Sequence, residues 1–287
     1  MIFAFAVGAA LLTPIQQDTT VPVSPGTRLE LSSHSGEIVV RTWNRNAIMV
    51  SADLPDRERL EVAVSGGVAE VRRNSRHGYD NDETVDYRLT VPTWMDLELA
   101  TIEGDITVEG TQGKVTLTSV EGNVTVRGGK EFISVHSVEG DISVDGAIGR
   151  VEMNSVDGGI TVTNVRGAVY AETVDGDITL DDIVSADVET NTVDGNILYR
   201  GNIDRNGRYR FDSHDGDITL EAPDINATLS VSTFDGEFQA CGYQVTLTGQ
   251  KERTNRKRFR ATVGDGGAQI DLESFDGNIY LMKPGCR

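Results

Sequence analysis

A set of nine carboxylates recurs at one position of a repeated pattern, each directly before a glycine. They are Glu103, Glu121, Glu139, Asp157, Asp175, Asp194, Asp215, Asp235 and Asp276. Ca²⁺ prefers carboxylate oxygens, so these nine residues are candidate metal ligands. Asp-Gly and Glu-Gly are also ordinary turn sequences, and the chain lacks both the helix-loop-helix calcium motif and the Gly-Gly-x-Gly-x-Asp nonapeptide. We favour turn chemistry with solvated charges and keep calcium as the alternative.

A second group is a basic cluster near the C-terminus, which includes only one acid, Glu252. Its members are Lys251, Arg253, Arg256, Lys257, Arg258 and Arg260. Such a cluster suits anionic lipid headgroups, an acidic polysaccharide, or the carboxylates of a second copy of the chain. A solvated hairpin tip is the simpler interpretation. Self-association through this cluster would weaken as the salt concentration rises.

A third group holds a hydroxyl three residues before each glycine. Its members are Thr101, Ser119, Ser137, Ser155, Thr173, Thr192, Ser213, Thr233 and Ser274. A nucleophilic hydroxyl needs a base beside it. His34 and His214 occupy a repeat slot otherwise held by Val, Ile or Phe, His136 alternates to the outer face, and His77 falls in a polar run. We predict that the hydroxyls face inward, satisfy backbone groups along the repeat, and perform no catalysis.

Composition excludes several classes of protein. The chain of 287 residues has 26 basic and 45 acidic side chains, a net charge of −19, which argues against a general nucleic-acid binder. Hydrophobic residues make up 38% and aromatic residues 6%, which is low for a compact enzyme. Two cysteines, Cys241 and Cys286, cannot form a disulfide-dense scaffold, but both lie near the C-terminus. They are candidates for one disulfide, and two free thiols are the alternative.

Short strands must position these groups. The glycines Gly104, Gly122, Gly140, Gly158 and Gly176 are 18 residues apart, and later copies follow at 19 to 21 and at 41. Apolar residues alternate with polar ones on both sides of each Asp-Gly or Glu-Gly turn, which is the period of a β-strand. No helical periodicity is visible in the repeats.

Two architectures fit this pattern. In a β-solenoid each repeat is one coil and each column becomes a ladder along the axis. In an antiparallel meander each Asp-Gly would be a two-residue hairpin. A meander gives no reason to repeat Ser or Thr at one depth nine times, so the columns favour the solenoid. The strands are too short, and aromatic girdles too scarce, for a membrane barrel.

The repeats from Ser119-Val-Glu-Gly-Asn-Val124 to Ser274-Phe-Asp-Gly-Asn-Ile279 resemble the bacterial β-strand-repeat "putative adhesin" domains of unknown function. Gly36 to Trp43 and Gly264 to Gly267 share the resemblance, which spans residues 20 to 285. It implies an extracytoplasmic, right-handed, single-stranded parallel β-helix with about 18–20 residues per coil. It implies no enzymatic activity, no cofactor and no catalytic residue. The basic insertion at 249–261 departs from the pattern.

The termini give the expected domain organisation. Ile2 to Leu12 has the length of a signal-peptide core, so residues 1–17 are predicted to be a signal peptide, although no Lys or Arg precedes the run. An ordinary buried strand, or a start further upstream, is the alternative. Residues 18–96 are predicted to form β-rich first coils and a cap, and residues 97–287 the solenoid. No later stretch qualifies as a transmembrane helix.

We therefore expect an extracytoplasmic, non-catalytic scaffold or adhesin-like module that binds a protein or an envelope polysaccharide. A calcium-dependent adhesion module is the first alternative. A β-helix enzyme acting on polysaccharide is the second, and it would need a few irregular acids in a groove with sugar-stacking aromatics.

Overall fold

The computed structural model describes residues 15–54, 58–75, 84–253 and 256–286, and within these ranges the chain is all β. Its 25 strands belong to one hydrogen-bonded sheet. The strands are β1 (Ile15–Pro22), β2 (Arg28–Ser35), β3 (Ile38–Trp43), β4 (Ala47–Leu54), β5 (Glu58–Ser65), β6 (Val68–Ser75), β7 (Tyr87–Pro92), β8 (Asp96–Glu103), β9 (Ile106–Glu109), β10 (Val115–Glu121), β11 (Val124–Arg127), β12 (Phe132–Glu139), β13 (Ile142–Asp145), β14 (Arg150–Asn154), β15 (Ile160–Thr163), β16 (Val169–Asp175), β17 (Ile178–Asp194), β18 (Ile197–Asp215), β19 (Ile218–Glu221), β20 (Ala227–Thr233), β21 (Phe238–Cys241), β22 (Val245–Arg253), β23 (Arg256–Val263), β24 (Ala268–Asp276) and β25 (Ile279–Met282).

Successive repeats stack in parallel and in register, as a β-solenoid requires. Val115 pairs with Leu97 of the preceding repeat and with Ile133 of the following one. One stack of strands, called stack A, contains β2, β8, β10, β12, β14, β16, the second halves of β17 and β18, β24 and β20. The other, stack B, contains β3, β9, β11, β13, β15, the first halves of β17 and β18, β19, β25 and β21.

The core lies between the inward faces of the strands. Val115 and Leu117 are fully buried while Thr116 and Thr118 between and beside them are not, and the same alternation holds for Ile106 and Val108 in stack B. Because each coil repeats the pattern, the buried side chains form continuous columns of Val, Ile and Leu. Burial of one such side chain is worth about 1.5–3 kcal/mol, and this term holds the coils together.

Glycine is required at the turn that joins the two stacks. A Cβ on Gly158 would lie 2.3 Å from the carbonyl oxygen of Gly140 in the coil below, and Gly158 has a φ of +147°. Equivalent contacts of 2.1–2.4 Å recur at Gly104, Gly122, Gly140 and Gly195. The recurrent glycine therefore lets successive turns approach to β-sheet spacing.

The last coils do not stack in the order of the sequence. Strand β24 pairs in parallel with β18 on one side and with β20 on the other. Strand β25 likewise lies between β19 and β21. The segment that comes last in the sequence is thus the second-to-last coil in space.

Antiparallel strands cover the N-terminal end. Hairpin β5–β6 extends stack A beyond β2, and β7, β4 and β1 extend stack B beyond β3. Within this hairpin, buried Glu58 on β5 pairs with Arg73 on β6 at 3.2 Å. Of the predicted signal peptide, residues 1–14 lie outside the described ranges, and 15–17 belong to β1. The proposed division at residue 96 stays a prediction.

The basic insertion forms a cap at the C-terminal end. Strands β22 and β23 make an antiparallel hairpin, and β23 pairs antiparallel with β20. Cys241 and Cys286 form a disulfide with a Cα–Cα distance of 6.0 Å, which ties the end of the chain to β21. None of the described segments is a helix long and apolar enough to cross a membrane.

Candidate binding surface at the glycine corner

The nine candidate carboxylates line the turns between stack A and stack B, which we call the glycine corner. Glu103, Glu121 and Glu139 pair in register, as do Asp194, Asp215 and Asp276. All nine are exposed. Neighbours one coil apart repel by roughly 0.9 kcal/mol in bulk water at strand spacing. In the ranges that the structure describes, no three Asp, Glu, His or Cys side chains group tightly enough to hold a metal ion.

A column of Asp and Asn runs beside these carboxylates, two residues further along the chain. Asn123 N–H donates to Asp105 Oδ1 at 2.7 Å, Asp141 N–H to Asn123 Oδ1 at 3.0 Å, and Gly159 N–H to Asp141 Oδ1 at 2.9 Å. The ladder resumes with Asn196, Asp217 and Asn278, each donating to the coil below at 2.7–2.9 Å. Alternation of Asp with Asn keeps charged neighbours apart. The Asp side chains two positions after the first column thus accept hydrogen bonds from backbone N–H groups of the neighbouring turn. The sequence analysis did not find the Asn members of this column, because it considered only charge.

The hydroxyl column points inward, as predicted, and its hydrogen bonds divide in two. In the later coils the hydroxyl donates to the glycine carbonyl of a neighbouring coil, as in Thr192 to Gly176 (3.1 Å) and Ser213 to Gly195 (3.0 Å). Thr101 and Ser137 donate within their own turn at 3.4 Å. Ser155 Oγ is buried and has no hydrogen-bond partner in the structure. These contacts are structural.

An exposed apolar column is the feature that sequence reasoning missed. The residue directly before each acid points outward, and its members from stack A are Ile102, Val120, Val138, Val156, Val174, Val193 and Phe275. Their side chains are 37–49% exposed. His214, Phe275 and Phe234 continue the column as parallel rings with centroids 4.8 Å apart. The sequence did contain the signal. This slot directly follows the inward hydroxyl column, and adjacent residues of a strand point to opposite faces, so the slot points outward.

Packing of the coil does not require apolar side chains in this column. Outward positions on stack B are occupied by Thr107, Thr125 and Thr161, and the strands that carry them pair in parallel just as those of stack A do. A Thr at the corner would keep the β-branched shape that strands favour without exposing hydrocarbon. Contiguous exposed apolar surface bordered by charge is typical of an interaction site.

The basic cluster lies on the terminal hairpin rather than at the corner. Lys257 Nζ donates to the carbonyl of Gly236 at 3.1 Å, which closes the last glycine turn. Arg258 and Arg260 are exposed, and Arg258 lines a small depression with Arg210 and Asp271. The side chains of Lys251, Arg253 and Arg256 lie outside the described part of the structure.

Groups that could do acid–base chemistry are scattered. Ser134 Oγ lies 3.2 Å from His136 Nε2, away from the hydroxyl column, and no carboxylate orients that histidine among the described contacts. Hydrogen bonds from Asn164 and Thr163 hold the pKa of the Asp145 carboxyl below its usual range. Burial raises the pKa of the Tyr243 phenol to about 12. His34 borders a cavity of about 310 Å³ at the N-terminal end, lined also by Ser33, Arg73 and Tyr87; His77 lies outside the described ranges.

Comparison with one solved structure supports the fold. A protein from Parabacteroides distasonis named a "putative adhesin" is 10% identical, with a TM-score of 0.53, over 93% of this chain and 98% of its own. A "putative lipid binding protein" from the same species is 11% identical, with a TM-score of 0.49, over 92% and 96%. No curated protein matches the sequence.

The family model described as Toastrack DUF4097 matches residues 20–282, nearly the whole of the solenoid and both its caps. The repeat, the parallel stacking and this match agree, and the chain belongs to the Toastrack DUF4097 family.

Proposed function

We propose that this protein is a non-catalytic binding scaffold outside the cytoplasm, and that its glycine corner contacts a partner protein or an envelope polysaccharide. The observation that carries the proposal is the exposed apolar column beside the acidic column. It repeats through successive coils from Ile102 to Val193 and exposes hydrocarbon that the fold could have replaced with Thr. A long, regular surface of this kind suits an extended partner.

Two further arguments concern the location outside the cytoplasm and the handedness of the coils. The disulfide between Cys241 and Cys286 is typical of an oxidising compartment. Strand-to-strand crossovers between parallel neighbours are right-handed in nearly all proteins, so we propose right-handed coils.

The enzyme alternative lacks a supporting observation. Sugar cleavage needs two carboxylates in different environments, one with a raised pKa, whereas the corner carboxylates are repeated and all exposed.

The direct test is co-sedimentation of the labelled full chain with purified envelopes of the native bacterium. Val138→Thr, Val156→Thr and Val174→Thr, made together, should weaken binding on the order of tenfold, because three methyl groups leave the contact. The matched control makes the reverse change, Thr125→Val, Thr161→Val and Thr179→Val, on the outer face of stack B in nearby coils. Prior protease or glycosidase treatment of the envelopes separates a protein partner from a polysaccharide. Equal binding by both variants would remove the corner from the proposal.

The calcium-dependent alternative is tested by thermal unfolding in chelator and then in millimolar calcium. Ligand that binds only the folded state raises the unfolding temperature. We expect no rise; an increase of several degrees would move the proposal to a calcium-dependent module.

A further inference from the structure

Strand β21 ends stack B in the described part of the chain, and it pairs there with β25 along one edge. The N–H of Ile279 on β25 donates to the carbonyl of Glu237 at 2.9 Å, so the backbone groups of Glu237 face β25. Successive residues of a strand direct their N–H and C=O groups to opposite edges. The backbone groups of Phe238 and Ala240 therefore point to the other edge, with which none of the described strands pairs.

Apolar surface on the inner face of the sheet is exposed at the same end. Ala240 pairs with fully buried Leu281, so its side chain points inward, yet it is exposed. On stack A, Leu247 pairs with Ala261, which in turn pairs with buried Leu229. Cross-strand pairs share a face, so Leu247 also points inward, and it is 60% exposed. Stack A continues past β20 by β23 and β22, and the described part of stack B has no strand beyond β21 to match them.

An extended polypeptide has the chemistry that fits this edge. Its backbone supplies acceptors and donors at the spacing at which the N–H and C=O groups of Phe238 and Ala240 follow each other, and its alternate side chains reach the inner face. A polysaccharide offers hydroxyl groups without that strand spacing. A second copy of the chain would bring a net charge of −19 against another −19. These considerations favour a segment of a different protein.

We infer that β21 accepts one extended segment of a partner protein as a further parallel strand of stack B. The pairings of stack B from β3 to β21 are parallel, and the added segment continues them. Its apolar side chains extend the inward columns that end at Phe238 and Ala240, and its polar side chains follow exposed Gln239. This site lies at the C-terminal end of the solenoid and does not depend on the glycine corner.

A strand of the protein's own stack B serves as the probe. The synthetic peptide Gly-Asn-Val-Thr-Val-Arg-Gly copies residues 122–128, which contain β11. In the protein the carbonyl of Asn123 accepts the N–H of Ile106 from the preceding coil. By alternation, the Thr125 amide of the bound peptide faces β21 and the Val126 amide faces away. Fluorescence anisotropy of the labelled peptide with the full chain should show saturable binding, with a dissociation constant below about 1 mM.

Methylation of one backbone nitrogen at a time tests the pairing itself. A methyl group on the Thr125 nitrogen removes an N–H that faces β21 and should weaken binding by about tenfold or more. The matched peptide, methylated on the Val126 nitrogen, loses an N–H that faces away and should bind within about threefold of the parent peptide.

Two variants test the same edge from the side of the protein. Ala240→Pro removes an N–H of the outer edge and leaves the hydrogen bonds to β25 in place, so it should weaken peptide binding by about tenfold or more. Ala240→Val keeps the N–H, adds inward hydrocarbon and should bind the peptide at least as tightly as the wild type. Circular dichroism and the unfolding temperature establish that both variants are folded, and the methylated peptides need no variant at all.

Several outcomes would overturn the inference. Absence of saturable binding is one, and equal binding by the two methylated peptides is another. A reversed preference between those peptides would contradict parallel addition, and unchanged binding by Ala240→Pro would remove β21 as the site. Sedimentation velocity of the full chain without peptide tests the remaining occupant. We expect a monomer, and self-association that Ala240→Pro abolishes would assign the edge to a second copy instead.

Discussion

The Asp and Asn ladder at the glycine corner is interrupted at Gly159, and filling this gap should stabilise the protein. Residue 159 is glycine, so the coil that contains it offers no side chain to accept the N–H of Asp177. A Cβ there would have ordinary contacts, 3.4 Å from Asp177 O and 3.5 Å from Asp141 Oδ1. Gly159→Asn should place an amide oxygen within reach of the Asp177 N–H, in the position equivalent to that of Asn123 Oδ1, which accepts the N–H of Asp141 at 3.0 Å.

The expected gain has two parts. One hydrogen bond contributes about 0.5–1.5 kcal/mol, and replacing glycine reduces the freedom of the unfolded chain by about 0.4–1 kcal/mol. Together they amount to about 1–2.5 kcal/mol, or a rise in unfolding temperature of about 2–8 °C. Gly159→Ala gives the second part alone. At the neighbouring residue the sign reverses, because Gly158→Ala places a Cβ 2.3 Å from Gly140 O and should cost about 3 kcal/mol or more.

Urea unfolding and amide hydrogen exchange of Asp177 measure these effects. Exchange of the Asp177 amide should slow in Gly159→Asn by more than the gain in global stability accounts for. In Gly159→Ala it should change only as much as the global stability does. If the Asn variant were no more stable than the Ala variant, or if Gly158→Ala were tolerated, our account of the corner would be refuted.

Four further predictions follow from contacts described above. Ser155→Ala should leave the free energy of unfolding unchanged or raise it, because its hydroxyl has no partner, whereas Ser213→Ala should lower it by about 0.5–1.5 kcal/mol through loss of the bond to Gly195; denaturant midpoints compare them. Tyr209→Phe should cost about 1–3 kcal/mol, because its hydroxyl receives the N–H of Asp204 at 2.7 Å and donates to Ser185 O, and Tyr170→Phe, at a part-exposed ring, is the control. Reduction of the Cys241–Cys286 disulfide, which is 45 residues apart in sequence, should lower stability by about 4 kcal/mol on the chain-entropy model, with β21 and β25 losing exchange protection first. Because the folded pKa of Asp145 lies below its unfolded value, its contribution is present above about pH 4 and is lost as the pH falls through the folded pKa, so Asp145→Asn should flatten the acid side of the stability profile.

Repeat columns made the stacking predictable. A Ser or Thr at one depth in nine repeats has a physical cause only if the residues are neighbours in space, and Thr192, Ser213 and Ser274 are indeed paired in register. The expected all-β fold is confirmed on the same basis. Close approach of glycines such as Gly158 to the coil below follows from the β-sheet spacing between successive coils.

Other features depend on contacts that no local pattern encodes. The placement of β24 between β18 and β20 is decided by which edge offers the better match for a segment more than 50 residues away. The position of the cap formed by β22 and β23 likewise depends on tertiary contacts, since the charge of Lys251 to Arg260 gives no information about the strand with which β23 pairs. The outward apolar column was overlooked for a different reason: Val, Ile or Phe was noted in this slot only as the residue type that His34 and His214 replace, and the slot was not assigned to a face.

The position of β24 sets the order in which the molecule can be completed. A ribosome releases the N-terminal coils first, and these can add one upon another as they appear, each using the last as a template. In stack B, β19 still adds to the first half of β18, but in stack A growth must pause there, because β24, the strand that belongs next to the second half of β18, is among the last to be synthesised. Until then β18 and β20 each have an edge with no neighbour, so a chain cut short before residue 268 would present an open template for aberrant pairing. Addition of β24 and β25 therefore acts as the closing step of folding, and only a chain that contains both strands completes the two stacks.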